Sequence, residues 1–142
     1  MTNLKLININ NQIQDDKKLI LQGLLNKKQK YLLPKYFYDE KGSKLFNKIT
    51  NLKEYYPTNK ELEILAKIQK EIRKELPNNS TIVEFGSGSN KKINKFIKSL
   101  SEPKEYIPID ISKEYLFKNA SVIAKKFSDL KVTAICADFS QT

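Results

Sequence analysis

Ile82-Val83-Glu84-Phe85-Gly86-Ser87-Gly88-Ser89 decides the fold. A β-branched pair running into an acid, an aromatic ring and a Gly-x-Gly turn is a strand feeding a tight loop. Glycine admits positive φ there and lets a ligand approach the backbone. Working outward, a second apolar run, Tyr106 to Asp110, ends on an acid, and a third, Lys131 to Asp138, leads into Phe139. Asp110 lies 22 residues beyond Gly88. That is the separation at which the tip of the next strand reads ribose hydroxyls in a Rossmann-type site. Between the runs, Ile93, Phe96, Ile97 and Leu100 mark one helix. Leu116, Ala120, Ile123, Ala124 and Phe127 mark a second, with Ser112 placed to cap it. The alternation is βαβαβ, so an α/β fold with a parallel sheet and right-handed crossovers is expected.

Upstream the periodicity is helical. Residues 1 to 16 are weakly patterned. A helix is expected from about Asp16 to Lys28, with Ile20, Leu21, Leu24 and Leu25 on one face, until Leu32-Leu33-Pro34 breaks it. Ser43 can cap a short helix carrying Leu45, Phe46 and Ile49. Glu54-Tyr55-Tyr56-Pro57 reads as extended. Thr58-Asn59-Lys60-Glu61 is a capping box for a longer helix with Leu65, Ile68, Ile72 and Leu76 in its stripe, stopped by Pro77-Asn78-Asn79. The chain therefore divides into a mostly helical N-terminal segment, residues 1–76, and a βαβαβ unit, residues 77–142. It ends just after the third of these strands, like the first half of a nucleotide-type domain. The strand Thr81 to Phe85 is then expected at a sheet edge.

Composition narrows the class. A chain of 142 residues with 39% hydrophobic content suits one soluble domain. No apolar run approaches the ~20 residues of a membrane span, and the polar N-terminus does not resemble a secretory signal, so a cytoplasmic location is expected. The net charge of +10 is carried almost wholly by lysine, Arg73 being the only arginine. Phosphate recognition favours the arginine fork, so the charge reads as lysine-rich drift and no specific nucleic acid partner is expected. Histidine is absent and Cys136, in an apolar strand, is the only cysteine. No intrachain disulfide is possible, and neither a zinc site nor a histidine-based triad is expected.

Gly88 is followed by Ser89-Asn90-Lys91, so the third glycine of a dinucleotide fingerprint is missing, and no P-loop is present. An acid next to a backbone-lined turn suits a cofactor without phosphates. S-adenosylmethionine (SAM) is the common one, with a cationic sulfonium and a zwitterionic amino-acid end. Asp110 can accept both ribose hydroxyls, or serve as an ordinary helix cap with Ser112. Asp138 can read an adenine amine with the Phe139 ring over the base, or the pair can be a simple strand-end turn.

Further segments carry a specific resemblance. Leu33-Pro34-Lys35-Tyr36-Phe37-Tyr38-Asp39, Gly42-Ser43-Lys44-Leu45-Phe46, Ile49-Thr50, Glu54-Tyr55-Tyr56-Pro57-Thr58, Glu84 to Ser89 with Lys92, Pro108 to Ser112 and Ala137-Asp138-Phe139 together resemble the histidine-specific, SAM-dependent methyltransferase family. Its best-known members trimethylate the α-amine of histidine on the way to ergothioneine. The resemblance covers nearly the whole chain and implies a class I, Rossmann-like methyltransferase fold with a helical N-terminal subdomain. It implies SAM contacts from Gly86, Lys92, Asp110, Asp138 and Phe139, with Lys92 toward the methionine carboxylate, and a substrate contact from Tyr55. Each has an ordinary alternative: Lys92 as a solvated lysine, Tyr55 as an aromatic packed beside Pro57. Complete members are longer, so the expected activity is that of the N-terminal part of an amino-acid N-methyltransferase. This chain alone is expected to be inactive; the alternative to the enzyme reading is a truncated remnant, or one half of a split protein that binds SAM weakly or only in complex with its partner chain. Another aromatic amino acid is the alternative substrate.

Overall fold

The structure, a computed structural model, describes residues 3–9 and 16–139. Four parallel strands form one sheet: β1 (Leu4–Asn8), β2 (Thr81–Phe85), β3 (Glu105–Asp110) and β4 (Lys131–Cys136), in the order β1-β4-β3-β2. The helices are α1 (Asp16–Leu24), α2 (Glu40–Ile49), α3 (Pro57–Lys67), α4 (Gln69–Glu75), α5 (Asn90–Ser99) and α6 (Lys113–Lys126), with a 3-10 turn at Pro34–Phe37. The expected strands and their two intervening helices are all present, and β2 lies at a sheet edge. No helix among the described residues is long and apolar enough to cross a membrane.

Strand β1 departs from the sequence reading, which left residues 1 to 16 weakly patterned. It pairs with β4 at the far end of the chain, Leu4 opposite Val132 and Asn8 opposite Cys136. Its anchor is Asn3, whose two Nδ2 hydrogens are shared among the carbonyls of Ala124, Phe127 and Leu130, at 3.0, 3.1 and 2.8 Å. These carbonyls lie at the C-terminal end of α6 and just beyond it, where helical donors run out. Leu4 and Leu6 then pack on the core.

Parallel register gives the sheet two faces. Ile82, Glu84, Tyr106, Pro108, Val132, Ala134, Cys136, Leu4 and Leu6 share one of them. Helix α6 covers this face with Leu116, Ala120, Ile123 and Ala124, and α5 adds Ile93 and Ile97. Val132, Ala134, Leu116 and Ile123 lose all their exposure there. Cys136 is a buried core residue, as its apolar strand suggested.

Local chemistry differs from the sequence reading at several helix ends. Asp39, not Ser43, caps α2: its Oδ1 accepts the Gly42 N–H at 2.6 Å. A Cβ at Gly42 would run into the Phe37 carbonyl, which explains the glycine. The capping box at Thr58 is not used. Pro57 is instead the first residue of α3, where its missing N–H costs nothing. The single long helix predicted from Thr58 is two, separated at Ile68. Helix α1 stops at Leu24, because Asn26 Oδ1 captures the N–H groups of Lys28 and Gln29 in a turn. Its Leu21 and Leu24 are exposed, so the predicted apolar face covers no core.

Candidate cofactor site

Each strand of the βαβαβ unit ends in a backbone turn, and these turns are tied together. Gly86 sits at φ +70°, with its N–H on the Ile109 carbonyl at 2.9 Å. Ser87 N–H reaches the same carbonyl, and Ala137 N–H donates to the Asp110 carbonyl at 3.0 Å. Asn119 Nδ2 holds the Gly88 carbonyl at 3.3 Å, and Asn90 Nδ2 in turn holds the Asn119 carbonyl at 3.1 Å. The exits of β2, β3 and β4 therefore form one rigid rim. This is the carboxyl end of a parallel sheet, where open α/β folds bind ligands.

A cavity of about 790 Å³ opens at this rim, and Gly86, Gly88, Asp110, Asp138 and Phe139 line it. Its far wall comes from the N-terminal segment: Leu33, Pro34, Lys35, Tyr38 and Phe46, with Tyr115 from the first turn of α6. Phe139 stands edge-on to Phe85, ring centroids 5.5 Å apart. Tyr38, Phe46 and Tyr55 form a chain of edge contacts at 6.1 and 5.9 Å. Asn47 Nδ2 donates to the Tyr115 hydroxyl, joining α2 to α6 beside the cavity.

Four of the sequence-selected residues thus meet at one cavity: Gly86, Asp110, Asp138 and Phe139. Tyr55 lies one ring behind its wall, against Phe46. Lys92 is not in the lining; it pairs with Glu61 of α3 at 2.9 Å. The sequence reading gave no site role to Lys35, Tyr38, Phe46 or Tyr115. Lys35, Tyr38 and Phe46 lie in segments that carried the family resemblance. Tyr115, three residues after Ser112 and off the core stripe of its helix, offered a weaker signal.

Electrostatics follow from burial. Desolvation raises the Asp110 carboxyl above its ordinary value, against the N–H groups of Ser112 and Ile111 that stabilise its charge; Ser112 N–H lies 2.9 Å from Oδ1. Glu84 is also raised, by burial first, with the Tyr106 hydroxyl (2.5 Å) and the Lys92 charge opposing and Asp110 adding to the rise. Lys35 is held above the ordinary lysine value. Burial works against its charge, but Asp138 and Asp16 outweigh that through hydrogen bonds and charge.

This lining suits SAM better than a dinucleotide. Lys35 is the only cation among its described lining residues and is already engaged with Asp138 at 3.2 Å, which leaves little positive charge there for a pyrophosphate. The Asp110 and Asp138 carboxylates and the aromatic rings suit a sulfonium and an adenosine. At Gly86 a Cβ would meet nothing nearer than the Phe139 ring, at 3.9 Å, so the turn leaves open space for a ligand.

The parallel sheet and the cavity at its carboxyl edge define a Rossmann-like α/β protein of the cofactor-binding kind. Residues 15–142 match the family described as histidine-specific methyltransferase, SAM-dependent, and the chain belongs to that family. It is 37% identical over 120 residues to histidine N-alpha-methyltransferase of Mycobacterium tuberculosis, a match covering 82% of this chain and 37% of the relative. Ergothioneine biosynthesis protein 1 of Neurospora crassa is 39% identical over 82 residues, covering 56% of this chain and 9% of that protein. A 4-dimethylallyltryptophan N-methyltransferase of Epichloe festucae var. lolii is 32% identical over 108 residues, covering 74% and 31%. The chain spans little more than a third of the length of the mycobacterial relative.

Proposed function

We propose that this chain supplies the cofactor side of a SAM-dependent methyltransferase acting on the α-amine of an amino acid, with histidine as that amino acid. The observation that carries the reading is the convergence of Gly86, Asp110, Asp138 and Phe139 on one cavity at the strand exits. In this reading residues 77–142 hold the cofactor and residues 1–76 build the substrate side. Bound SAM supplies a methyl group on a sulfonium, open to in-line attack by a neutral amine. Asp110 accepts the ribose hydroxyls, and its burial strengthens each such bond. Phe139 covers the adenine, Asp138 takes its amine, and the turn at Gly86 gives backbone access to the methionine portion. Lys92 reaches the methionine carboxylate by exchanging its Glu61 partner. Tyr55, braced by Phe46, contacts the amino-acid substrate. Rate comes from holding amine and methyl in line, which is a matter of walls and anchors.

A second substrate, another aromatic amino acid, is favoured by the similarity to a protein named for a tryptophan derivative. Calorimetry on the purified chain tests both levels. S-adenosylhomocysteine should bind saturably, and Asp110→Ala should weaken it by roughly 1–3 kcal/mol, the cost of leaving buried polar partners unpaired. Saturable NAD binding with no response to S-adenosylhomocysteine would end the reading. Titrating histidine and then tryptophan into the S-adenosylhomocysteine-saturated chain ranks the two substrates.

A further inference from the structure

Lys35 stands at a junction that the proposed cofactor chemistry does not use. It lies in the 3-10 turn Pro34–Phe37, and its Nζ bridges two carboxylates from distant parts of the chain. One is Asp138 Oδ2 at 3.2 Å, just past the end of β4; the other is Asp16 Oδ1 at 3.3 Å, at the start of α1. The Tyr36 hydroxyl donates to the same Asp16 oxygen at 3.0 Å. The Lys35 and Asp138 side chains are only 16% and 13% exposed, so this is no loose surface pair. Leu33, Pro34, Lys35 and Tyr38 all line the cavity, so residues 33–38 run along it as a strap.

The strap's other hydrogen bonds among the described residues are mostly local. Leu32, Leu33, Phe37 and Tyr38 are all exposed, and the turn's own hydrogen bonds are local: Tyr36 N–H to the Leu33 carbonyl and Tyr38 N–H to the Lys35 carbonyl. Local bonds shape a turn but do not dock it. The ammonium of Lys35 docks it to the strand end. One cation between two carboxylates also stops those carboxylates from repelling each other, and fixes which Asp138 oxygen faces the strap.

We propose that Lys35 is a positioning residue that pins the 33–38 strap along the cofactor cavity and orients the Asp138 carboxylate beside it. Its effect on the reaction is assigned to Asp138, which it pairs with, and to the cavity wall it holds in place. Its role toward the cofactor rests on the SAM reading; its role as a pin does not. Substituting it therefore should alter the protein before any ligand is added.

The test is hydrogen exchange on the ligand-free 142-residue chain, followed by calorimetry with S-adenosylhomocysteine. In K35M, amides of residues 16–38 should lose protection while β2, β3 and β4 keep theirs. S-adenosylhomocysteine affinity should fall by about tenfold, the scale of one charge-assisted contact. K35R should restore strap protection, since it keeps the cation. In a D138N background the K35M effect on affinity should shrink, because the coupled partner is already gone. Should K35M unfold outright, D16N gives the milder test: it removes one end of the bridge and should loosen α1 and the strap alone. Unchanged strap exchange in both K35M and D16N would overturn the pin. Loosened exchange with an unchanged affinity for S-adenosylhomocysteine would overturn the positioning of Asp138. A wild-type chain that fails to bind S-adenosylhomocysteine would defeat the cofactor reading, while the exchange data still decide the pin.

Discussion

Gly86 shows how one residue can serve fold and site together. Its φ of +70° turns the chain at the end of β2, and its missing Cβ leaves the cavity mouth open. Gly86→Ala places a side chain in the left-handed region at a cost of roughly 1–2 kcal/mol. Urea unfolding should show that loss, and S-adenosylhomocysteine affinity should fall with it because the methyl group enters the mouth. Two glutamates make a sharper comparison. Glu105 is held below its ordinary value by the Thr133 hydroxyl first and Lys131 next, at 2.6 and 3.0 Å. Its native pKa is depressed, so its stabilising effect is present at neutral pH and is lost as pH falls through that value. Glu84 is raised by burial. The native state holds its proton longer than the unfolded chain does, so stability declines as pH rises between its two values. Carboxyl NMR titrations should find Glu105 below the ordinary glutamate midpoint and Glu84 above it. In E105Q the loss of stability on acidification should lessen; in E84Q the slope just above the glutamate midpoint should lessen. Coincident midpoints would show that burial of Glu84 and pairing of Glu105 do not govern their charge.

At the scale of elements, what the sequence revealed depended on how local the cause was. Strands β2, β3 and β4 announce themselves by β-branched runs ending at turn residues, and α5 and α6 by apolar stripes that become buried faces. Helix ends were harder. Asp39 and Ser43 are both good caps by type, and the tertiary fold uses Asp39, whose Oδ1 accepts the Gly42 N–H where Gly42 lies close against the Phe37 carbonyl. Thr58 with Glu61 is a sound capping box, but Pro57 starts the helix ahead of it. Strand β1 was not legible, because Leu4-Lys5-Leu6-Ile7-Asn8 gains its hydrogen bonds only from β4. The site divides the same way. The cavity-lining residues at strand ends, Gly86, Asp110, Asp138 and Phe139, stand out in the sequence, while Lys35 and Tyr115 join the lining through tertiary packing. Asn3 gives this scale its prediction. It donates to carbonyls at and beyond the end of α6, and its own carbonyl accepts Val132 N–H at 2.7 Å. Asn3→Ala keeps the backbone bond and removes the side-chain donors. It should destabilise the chain by about 1–2 kcal/mol, with hydrogen exchange rising first in β1 and the last turn of α6. Equal exchange in the two proteins would mean that β1 docks by its leucines alone.

Across the whole molecule, the sheet is covered unequally. Helix α6 packs on the face carrying Tyr106, Val132 and Ala134. The opposite face carries Val83, Phe85, Ile107, Ile109, Ile135 and Ile7, none of which is fully buried. Val83 and Phe85 are 49% and 64% exposed, and they sit on β2, which among the described residues pairs only with β3. A parallel sheet is ordinarily covered on both faces, and an apolar edge strand with unpaired backbone groups is a template for association. Lys5 and Lys131 also lie on this face, but on β1 and at the start of β4, and β2 itself carries no lysine. The 142-residue chain should therefore self-associate with rising concentration, through β2 and the face beside it. Val83→Lys places a charge on the open face without touching the core, so its effect on stability should stay within about 0.5 kcal/mol. Sedimentation velocity over a concentration series should show association in the unsubstituted chain and much less of it in V83K. Ile82→Lys is the control for position: one residue along, it points into the core and should unfold the chain instead. A monomer at every concentration, or association indifferent to V83K, would mean that the open face is not the sticky surface and that the residues beside it are better shielded than their exposure indicates.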